Sequence, residues 1–138
     1  MRALVDASVL SLSLRRSKNA VLNPDQQILV SLLTEMIEDG RFVLIGPIRQ
    51  EVLSGVREAG HFEKLRTTLA AFPDEPLSQS HFEEAARLFN LCRSRGVSCG
   101  SVDMMICAVA SEKRWAILTA DAGMKRCIAV LQSEGLLS

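Results

Sequence analysis

The stretch from Gly100 to Met124 constrains the fold of this chain more than any other, because it joins an apolar helix, an apolar run and a turn. Residues Ser101–Glu112 are apolar on almost every helical face, and a helix that is apolar all round is buried. The following Trp115–Leu118 run is too short for a helix and fits a buried strand. Asp103 lies in the first turn of this helix, and Asp121 follows the strand closely. Two carboxylates therefore lie at the margin of an apolar core, where a charge without a cation or a hydrogen-bond donor is costly.

Length and composition predict one globular domain, spanning residues 1–138. Apolar residues make up 48% of the chain and charged residues 23%, which is typical of a folded domain and not of a disordered one. The formal net charge is zero, so no overall basicity indicates a nucleic-acid partner, although a local patch could still bind one. The basic clusters Arg15-Arg16-Lys18 and Lys125-Arg126 are either solvated helix ends or phosphate contacts.

The four cysteines contain no C-x-x-C pair, and His61 and His81 lie far from them in sequence. This spacing disfavours a zinc site, and we expect reduced thiols that fill the core. Strand-like sequence begins within the first residues, which leaves no room for a signal peptide, and no apolar run approaches the ~18 residues of a membrane span. We therefore expect a cytoplasmic protein that does not enter the membrane.

Strand-like and helical segments alternate along the whole chain. This alternation predicts an α/β fold in which helices cover both faces of a central, mostly parallel sheet, a three-layer α/β/α sandwich. The predicted strands are residues 2–6, 42–45, 115–118 and 128–131, with a weak candidate at 75–78. The predicted helices cover residues 7–16, the segment from Asn23 to Gly40, the segment after Gly46-Pro47, and residues 61–72, 80–95 and 101–112.

This order places four acids at strand ends or on helices that begin beside them. Asp6 and Asp121 follow strands, Glu51 lies on the helix that begins after the second strand, and Asp103 is in the first turn of the helix that leads to the 115–118 strand. In open α/β sheets the functional crevice lies at the carboxyl ends of the strands, where the strand order reverses. If the first strand and the 115–118 strand are neighbours there, at least three of these acids converge. Clustered carboxylates repel each other, and an all-oxygen set of this kind suits Mg²⁺ or Mn²⁺. Such a cation can hold a phosphodiester and lower the pKa of an attacking water.

The motifs around these acids resemble those of the PIN-domain nucleases, and among them most closely the VapC-type toxins of bacterial toxin–antitoxin pairs. The motifs are V-D-x-S-V at residues 5–9, E-V-L at 51–53, S-V-D-M-M-I-C-A-V-A at 101–110 and I-L-T-A-D at 117–121. The resemblance covers essentially the whole chain. It implies a three-layer fold, metal-dependent RNA cleavage, a homodimer and a small antitoxin protein. It also implies an acidic site formed by Asp6, Glu51, Asp103 and Asp121, with Asp6, Asp103 and Asp121 as metal ligands and with Ser8 and Thr119 in support through hydrogen bonds.

One position departs from the family pattern. Many relatives read T-x-D-x-D-F at the last of these motifs, whereas this chain has Gly123 in place of the second acid and Met124 in place of the aromatic residue. The departure leaves open whether one or two metal ions would bind.

Simpler structural roles exist for each acid. Asp103 could be an ordinary acid in the first turn of a helix, Asp121 and Asp6 could be turn residues, and Glu51 could lie on the polar face of its helix. The basic clusters could simply be solvated helix ends, and Met104 and Met105 could simply be core residues.

Three functions are therefore weighed. The favoured one is a Mg²⁺-dependent endoribonuclease. The second is a phosphotransfer protein in which Asp6 is the covalent nucleophile and Lys125 meets the phosphate. The third is a PIN-like binding module that has lost catalysis, and the absence of the second acid at Gly123 is the reason to consider it.

Overall fold

The computed structural model describes residues 1–14 and 21–138, which form three strands and seven helices. The strands are β1 (Ala3–Val5), β2 (Phe42–Val43) and β3 (Ala116–Leu118). The helices are α1 (Ala7–Leu14), α2 (Pro24–Glu38), α3 (Gly46–Leu53), α4 (Ala59–Leu69), α5 (Gln79–Ser94), α6 (Ser101–Lys113) and α7 (Ala122–Ser133). The basic cluster at residues 15, 16 and 18 lies outside the described residues.

The three strands form one parallel sheet in the order β2-β1-β3. The chain leaves β1 toward β2 on one side and later returns to β3 on the other side, so the strand order reverses at β1. The first strand and the 115–118 strand are adjacent in the sheet, as expected. The crevice predicted at the carboxyl edge of the sheet therefore opens between β1 and β3.

The helices divide into two groups by their packing. Helices α1, α2 and α3 contact one another, and α3 also packs on α4, whereas α5 packs on both α6 and α7. The first group meets the sheet through α2 and β2, and the second group meets it through α6, which packs on β1 and β3. All three residues of β1 are buried, as expected for a central strand between two helical layers. The α/β fold class is thus confirmed.

Helix α6 forms the centre of the core, as the apolar stretch predicts. It has six buried residues: Met104, Ile106, Cys107, Ala108, Val109 and Ala110. Its burial places the first turn of the helix, which carries Asp103, beside the carboxyl ends of β1 and β3. This largely buried helix thereby positions one of the predicted site acids.

The prediction of a last strand at residues 128–131 is wrong, because this segment lies inside α7. Its buried side chains Met124, Cys127 and Leu131 recur at helical spacing, and a short apolar run alone does not distinguish a strand from a buried helix. The weak strand candidate at 75–78 is also wrong. Only a single bridge forms nearby, between Leu44 and Asp74.

His81 is buried at the start of α5. Its Nδ1 accepts a hydrogen bond of 3.0 Å from the Ser78 amide, and its Nε2 lies 3.0 Å from Oε2 of Glu112 on α6. The first contact caps the N-terminus of α5, and the second joins α5 to α6. Within residues 1–14 and 21–138, no helix combines the length and the apolar character that crossing a membrane requires.

Candidate active site

Asp6 occupies the centre of the site, directly after the central strand β1. Its amide donates to the Leu118 carbonyl at 3.1 Å, which extends the β1–β3 pairing to the strand ends. The residue is only 4% exposed, so its carboxylate needs donors. Oδ1 accepts a hydrogen bond of 2.7 Å from the Ser8 amide and a second bond from the Ser8 hydroxyl. Oδ2 accepts a hydrogen bond of 2.5 Å from the Thr119 hydroxyl.

The two hydroxyls that hold Asp6 are themselves oriented by backbone amides. The Ala120 amide donates to Ser8 Oγ at 2.9 Å, and the Asp121 amide donates to Thr119 Oγ1 at 3.0 Å. A hydroxyl whose oxygen accepts from an amide keeps its own proton for donation to the carboxylate. The connection from β3 to α7 is thereby tied to Asp6 through two hydroxyl relays, which agrees with the supporting role expected for Ser8 and Thr119.

Asp121 caps the N-terminus of α7. Its Oδ2 accepts a hydrogen bond of 2.7 Å from the Met124 amide, and the residue is exposed. A carboxylate is favourable in this position because the helix dipole places partial positive charge there. Asp121 therefore does have the structural role in a turn that its sequence position allows. The capping bond holds its carboxylate at the same edge of the sheet as Asp6.

Asp103 lies in the first turn of α6 and is partly buried. Its Oδ2 accepts a hydrogen bond of 3.1 Å from the Gly100 amide, a local role of the kind that sequence analysis left open. Burial is the main cause that raises the pKa of this carboxyl group, and the charges of Asp6 and Asp121 raise it further against the opposing Gly100 bond. Asp103 is thus close enough to both other aspartates to be repelled by them.

Glu51 reaches the same edge from α3. The residue is exposed as a whole, yet partial burial of its carboxyl group is the largest cause that raises its pKa, followed by the charges of Asp103 and Asp6. All four predicted acids are therefore brought within electrostatic range of at least one other. Glu51 and Asp103 have the raised pKa values that mutual repulsion and desolvation produce.

The acids do not form a closed chelate. Among residues 1–14 and 21–138, no three or more His, Cys, Asp or Glu side chains are grouped closely enough to hold a metal ion as they stand. Each aspartate instead accepts a hydrogen bond from a nearby donor: the hydroxyls of Ser8 and Thr119, the Met124 amide, or the Gly100 amide.

The chemistry of the donor set nevertheless fits a hard divalent cation. All four acids offer carboxylate oxygens, the ligands that Mg²⁺ and Mn²⁺ prefer, and a cation would relieve the repulsion that raises the pKa values of Glu51 and Asp103. The assignment of Asp6, Asp103 and Asp121 as metal ligands stays a prediction.

A cluster of thiols near Asp103 is not apparent from the sequence. Cys92 on α5, Cys99 before α6, Cys107 on α6 and Cys127 on α7 are all unpaired, and each of the first three lies near enough to Cys127 to be influenced by it. Burial is the main cause that raises the pKa of Cys92 to about 11, and the neighbouring Cys127 raises it further. No spacing motif announces this cluster, because helix packing alone brings the four residues together.

Comparison with known proteins gives the family of the chain. The model of the PIN domain matches residues 3–128. This chain belongs to the PIN domain family. PIN domains are generally nucleases, and they typically use a divalent metal. No curated protein matches the chain significantly.

A solved structure supports the fold independently of the family model. The chain is similar to the crystal structure of FitAcB from Neisseria gonorrhoeae, with 18% sequence identity and a TM-score of 0.67. The match covers 91% of this chain and 93% of that chain. At this identity the likeness shows a shared fold along nearly the full length of both chains, and the resemblance to PIN domains noted from the motifs is confirmed.

Proposed function

We propose that this PIN domain is a Mg²⁺- or Mn²⁺-dependent endoribonuclease that hydrolyses RNA phosphodiester bonds at Asp6, Glu51, Asp103 and Asp121. The observation that carries the proposal is the gathering of these four acids at the carboxyl edge of the sheet, where burial first, and then the charges of the neighbouring acids, raise the pKa values of Glu51 and Asp103. A site that repels its own negative charge in this way suits a cation and the phosphate that the cation holds.

Each residue has a separate role in this proposal. Asp6, Asp103 and Asp121 would hold the cation, which when bound lowers the pKa of water and offsets the charge of the phosphate. Ser8 and Thr119 orient the Asp6 carboxylate through their hydroxyls. Glu51 would orient the attacking water and accept its proton, a role that a carboxylate with a raised pKa performs better than an ordinary one.

The phosphotransfer alternative fits the geometry less well. A covalent nucleophile has to bring an oxygen into bonding distance of phosphorus, whereas Asp6 is buried and both of its oxygens accept hydrogen bonds. A metal ligand needs only one lone pair, and Oδ2 keeps one because it accepts a single hydrogen bond. The alternative of a binding module without catalysis is motivated by Gly123, which leaves the last motif with one acid instead of two. That alternative makes a distinct prediction, because it requires no metal.

Cleavage of a labelled single-stranded RNA tests the proposal. We expect cleavage with Mg²⁺ or Mn²⁺, none in EDTA, and a loss of at least about a hundredfold in Asp6→Asn, since removal of one charged ligand disrupts the cation site. Glu38→Gln is the matched control, because this exposed acid ends α2 just before β2 and so lies at the opposite edge of the sheet. Cleavage in EDTA, or equal rates in Asp6→Asn and Glu38→Gln, would contradict the proposal.

The partners follow from the resemblance to the VapC-type toxins. We expect a cytoplasmic protein that forms a homodimer of the 15.1 kDa chain and binds a small antitoxin protein. Expression of the chain alone should arrest bacterial growth, co-expression of a neighbouring open reading frame should relieve the arrest, and Asp6→Asn should not arrest growth. Light scattering measures the mass of the purified protein. Equal toxicity of the wild type and Asp6→Asn would show that the arrest does not come from this site.

A further inference from the structure

The strand β3 has one unpaired edge. In the part of the chain that the structure describes, the sheet ends at β3, and no strand pairs with it on the side away from β1. The Ala116 amide donates to the Arg2 carbonyl at 3.2 Å. The Leu118 carbonyl accepts from the Asp6 amide at 3.1 Å, so the residues on either side of Ile117 bond to β1. The amide and the carbonyl of Ile117 therefore point away from the sheet, because successive residues of a strand bond to opposite sides.

This edge is accessible and lies beside an apolar groove. Ala116 is exposed, and Ile117 and Leu118 are only partly buried, whereas all three residues of the central strand β1 are buried. The groove has a volume of about 250 Å³, and Trp115, Ile117 and Ile128 are among the residues that line it. Unpaired backbone groups beside apolar side chains are the features through which a sheet edge accepts another strand.

The two ends of β3 carry opposite charges. Lys113 and Arg114 precede the strand, and the guanidinium carbon of Arg2 lies 5.9 Å from the centroid of the Trp115 ring. Asp121 follows the strand at its other end. A copy of β3 laid antiparallel on this edge meets the opposite charge at both ends, whereas a parallel copy in register meets the same charge. The charges therefore favour a second copy of this chain in the antiparallel orientation.

We propose that β3 pairs with β3 of a second copy of this chain, antiparallel across a twofold axis at Ile117, so that the two sheets become one. At the axis, each Ile117 amide donates to the Ile117 carbonyl of the partner subunit, and the two side chains pack on the same face. On either side of the axis, the Thr119 amide of each copy donates to the Trp115 carbonyl of the other. The inference rests on the proposed function, since it names the surface of the homodimer expected there.

The twofold axis also places complementary charges together. In this register Arg114 of one copy lies opposite Ala120 of the other, next to Asp121. The axis produces this contact twice, closes the assembly at two copies and leaves no free edge on this side of the sheet. Because the contacts are between exposed charges, salt should weaken the association.

Replacement of Ile117 by proline tests the pairing without breaking the sheet. Proline removes only the outward amide, and an edge strand tolerates it where that amide faces solvent. By light scattering we expect the wild type to have the mass of a dimer of the 15.1 kDa chain. Ile117→Pro should raise the dissociation constant at least about tenfold, because both reciprocal bonds at the axis are lost. Ile117→Val is the matched control, since it keeps the amide and should dimerise as the wild type does.

Hydrogen exchange of the wild type tests the same contact without a substitution. In the dimer, the Ile117 amide should exchange as slowly as the Ala116 amide, which is bonded to the Arg2 carbonyl within the sheet. Rapid exchange of the Ile117 amide in the dimer would overturn the inference, even if Ile117→Pro failed to fold.

The competing surface for a second copy is the apolar cavity between α5 and α6, where Phe82 is 47% exposed. A dimer that persists in Ile117→Pro and dissociates in Phe82→Ser would overturn the inference and leave the homodimer standing. A monomeric wild type would contradict both the homodimer and the pairing of β3. If that monomer bound the product of a neighbouring open reading frame and Ile117→Pro did not, the edge would belong to the antitoxin and the self-pairing would be wrong. Cleavage of RNA is measured separately, so the proposed nuclease stands or fails independently of these outcomes.

Discussion

At the scale of single residues, Asp6 shows how a buried charge is held ready for use. Its carboxylate lies at the end of the central strand and is satisfied by two hydroxyls rather than by a cation side chain. Hydroxyls hold the carboxylate in one orientation and leave its negative charge unneutralised, whereas a lysine or an arginine would cancel it. The residue therefore keeps the charge that a metal ion or a phosphate-bound cation would need.

Replacement of Thr119 tests this arrangement. Thr119→Val removes the hydroxyl that donates to Asp6 and accepts from the Asp121 amide, so two polar groups lose a partner. We expect the free energy of unfolding to fall by about 1–3 kcal/mol. Thr119→Ser is the control, because it keeps the hydroxyl and loses one methyl group, at a cost of about 1 kcal/mol. Urea unfolding measures both variants, and a Thr119→Val variant as stable as the wild type would show that the relay is unimportant for folding.

The pH dependence of stability should report on Asp103. Burial, assisted by the charges of Asp6 and Asp121, raises its pKa in the folded protein above the ordinary value of 3.8. The folded state therefore holds the proton more tightly than the unfolded state does, and the cost of ionising Asp103 is absent below pH 3.8 and fully present above the folded pKa.

Asp103→Asn should consequently be more stable than the wild type at pH 7, and its advantage should shrink toward pH 4. The amide can still accept the hydrogen bond of the Gly100 amide. Thermal unfolding at both pH values in EDTA measures the difference. A variant that is less stable than the wild type at pH 7 would show that the capping bond, and not repulsion, dominates at this position.

At the scale of elements, the N-termini of helices α6 and α7 position two of the four acids. Asp103 accepts a bond in the first turn of α6, and Asp121 caps α7. These local bonds orient the carboxylates and also stabilise the helices. The same carboxylate oxygens therefore stabilise a helix and, in the proposed function, serve the active site. A substitution has to be chosen so that its effect on stability can be separated from its effect on activity.

Two substitutions of Asp121 separate them. Asparagine is as good an N-cap as aspartate, so Asp121→Asn should keep the free energy of unfolding within about 0.5 kcal/mol of the wild type, whereas Asp121→Ala should lower it by about 1 kcal/mol. Both variants should lose RNA cleavage, because both lose the charge. Stability is measured by urea unfolding and activity by the cleavage assay. Full activity in Asp121→Asn would restrict Asp121 to the capping role.

Much of the element order and the approach of the four acids to one edge of the sheet could be predicted from the sequence, for identifiable physical reasons. The parallel arrangement follows from the alternation of segments, and the place of Asp6 and Asp121 follows from the apolar runs that precede them. The prediction of a strand at 128–131 is wrong because Ile128 and its neighbours form an apolar run that suits either a strand or a buried helix. Packing against the rest of the protein makes this segment helical, and a short local pattern does not encode that packing.

The fine structure of the site could not be predicted in the same way. The relays from the Ala120 and Asp121 amides through the hydroxyls to Asp6 join residues more than a hundred positions apart. The close approach of the Asp121 carboxylate to Gly123, where an added Cβ would lie 3.2 Å from Oδ2, depends on how the first turn of α7 is oriented. The acid spacing revealed which residues meet, but not that each carboxylate already accepts a bond from a local donor.

At the scale of the whole molecule, a chain with zero net charge concentrates negative charge at one edge of its sheet. The reversal of strand order at β1 creates the crevice, and α3, α6 and the β3–α7 connection bring the acids to it. The proposed nuclease activity depends on this edge binding a divalent cation. Arg126 and Lys125 add positive charge beside it on α7, which suits a polyanionic substrate.

Calorimetric titration of Mn²⁺ into the metal-free protein measures whether the edge binds a cation. We expect saturable binding of about one ion per chain in the wild type and in Glu38→Gln, and affinity at least about tenfold lower in Asp6→Asn, since one charged ligand is lost. Absence of binding at millimolar Mn²⁺, or equal binding in Asp6→Asn and the wild type, would contradict the assignment of these acids as a cation site.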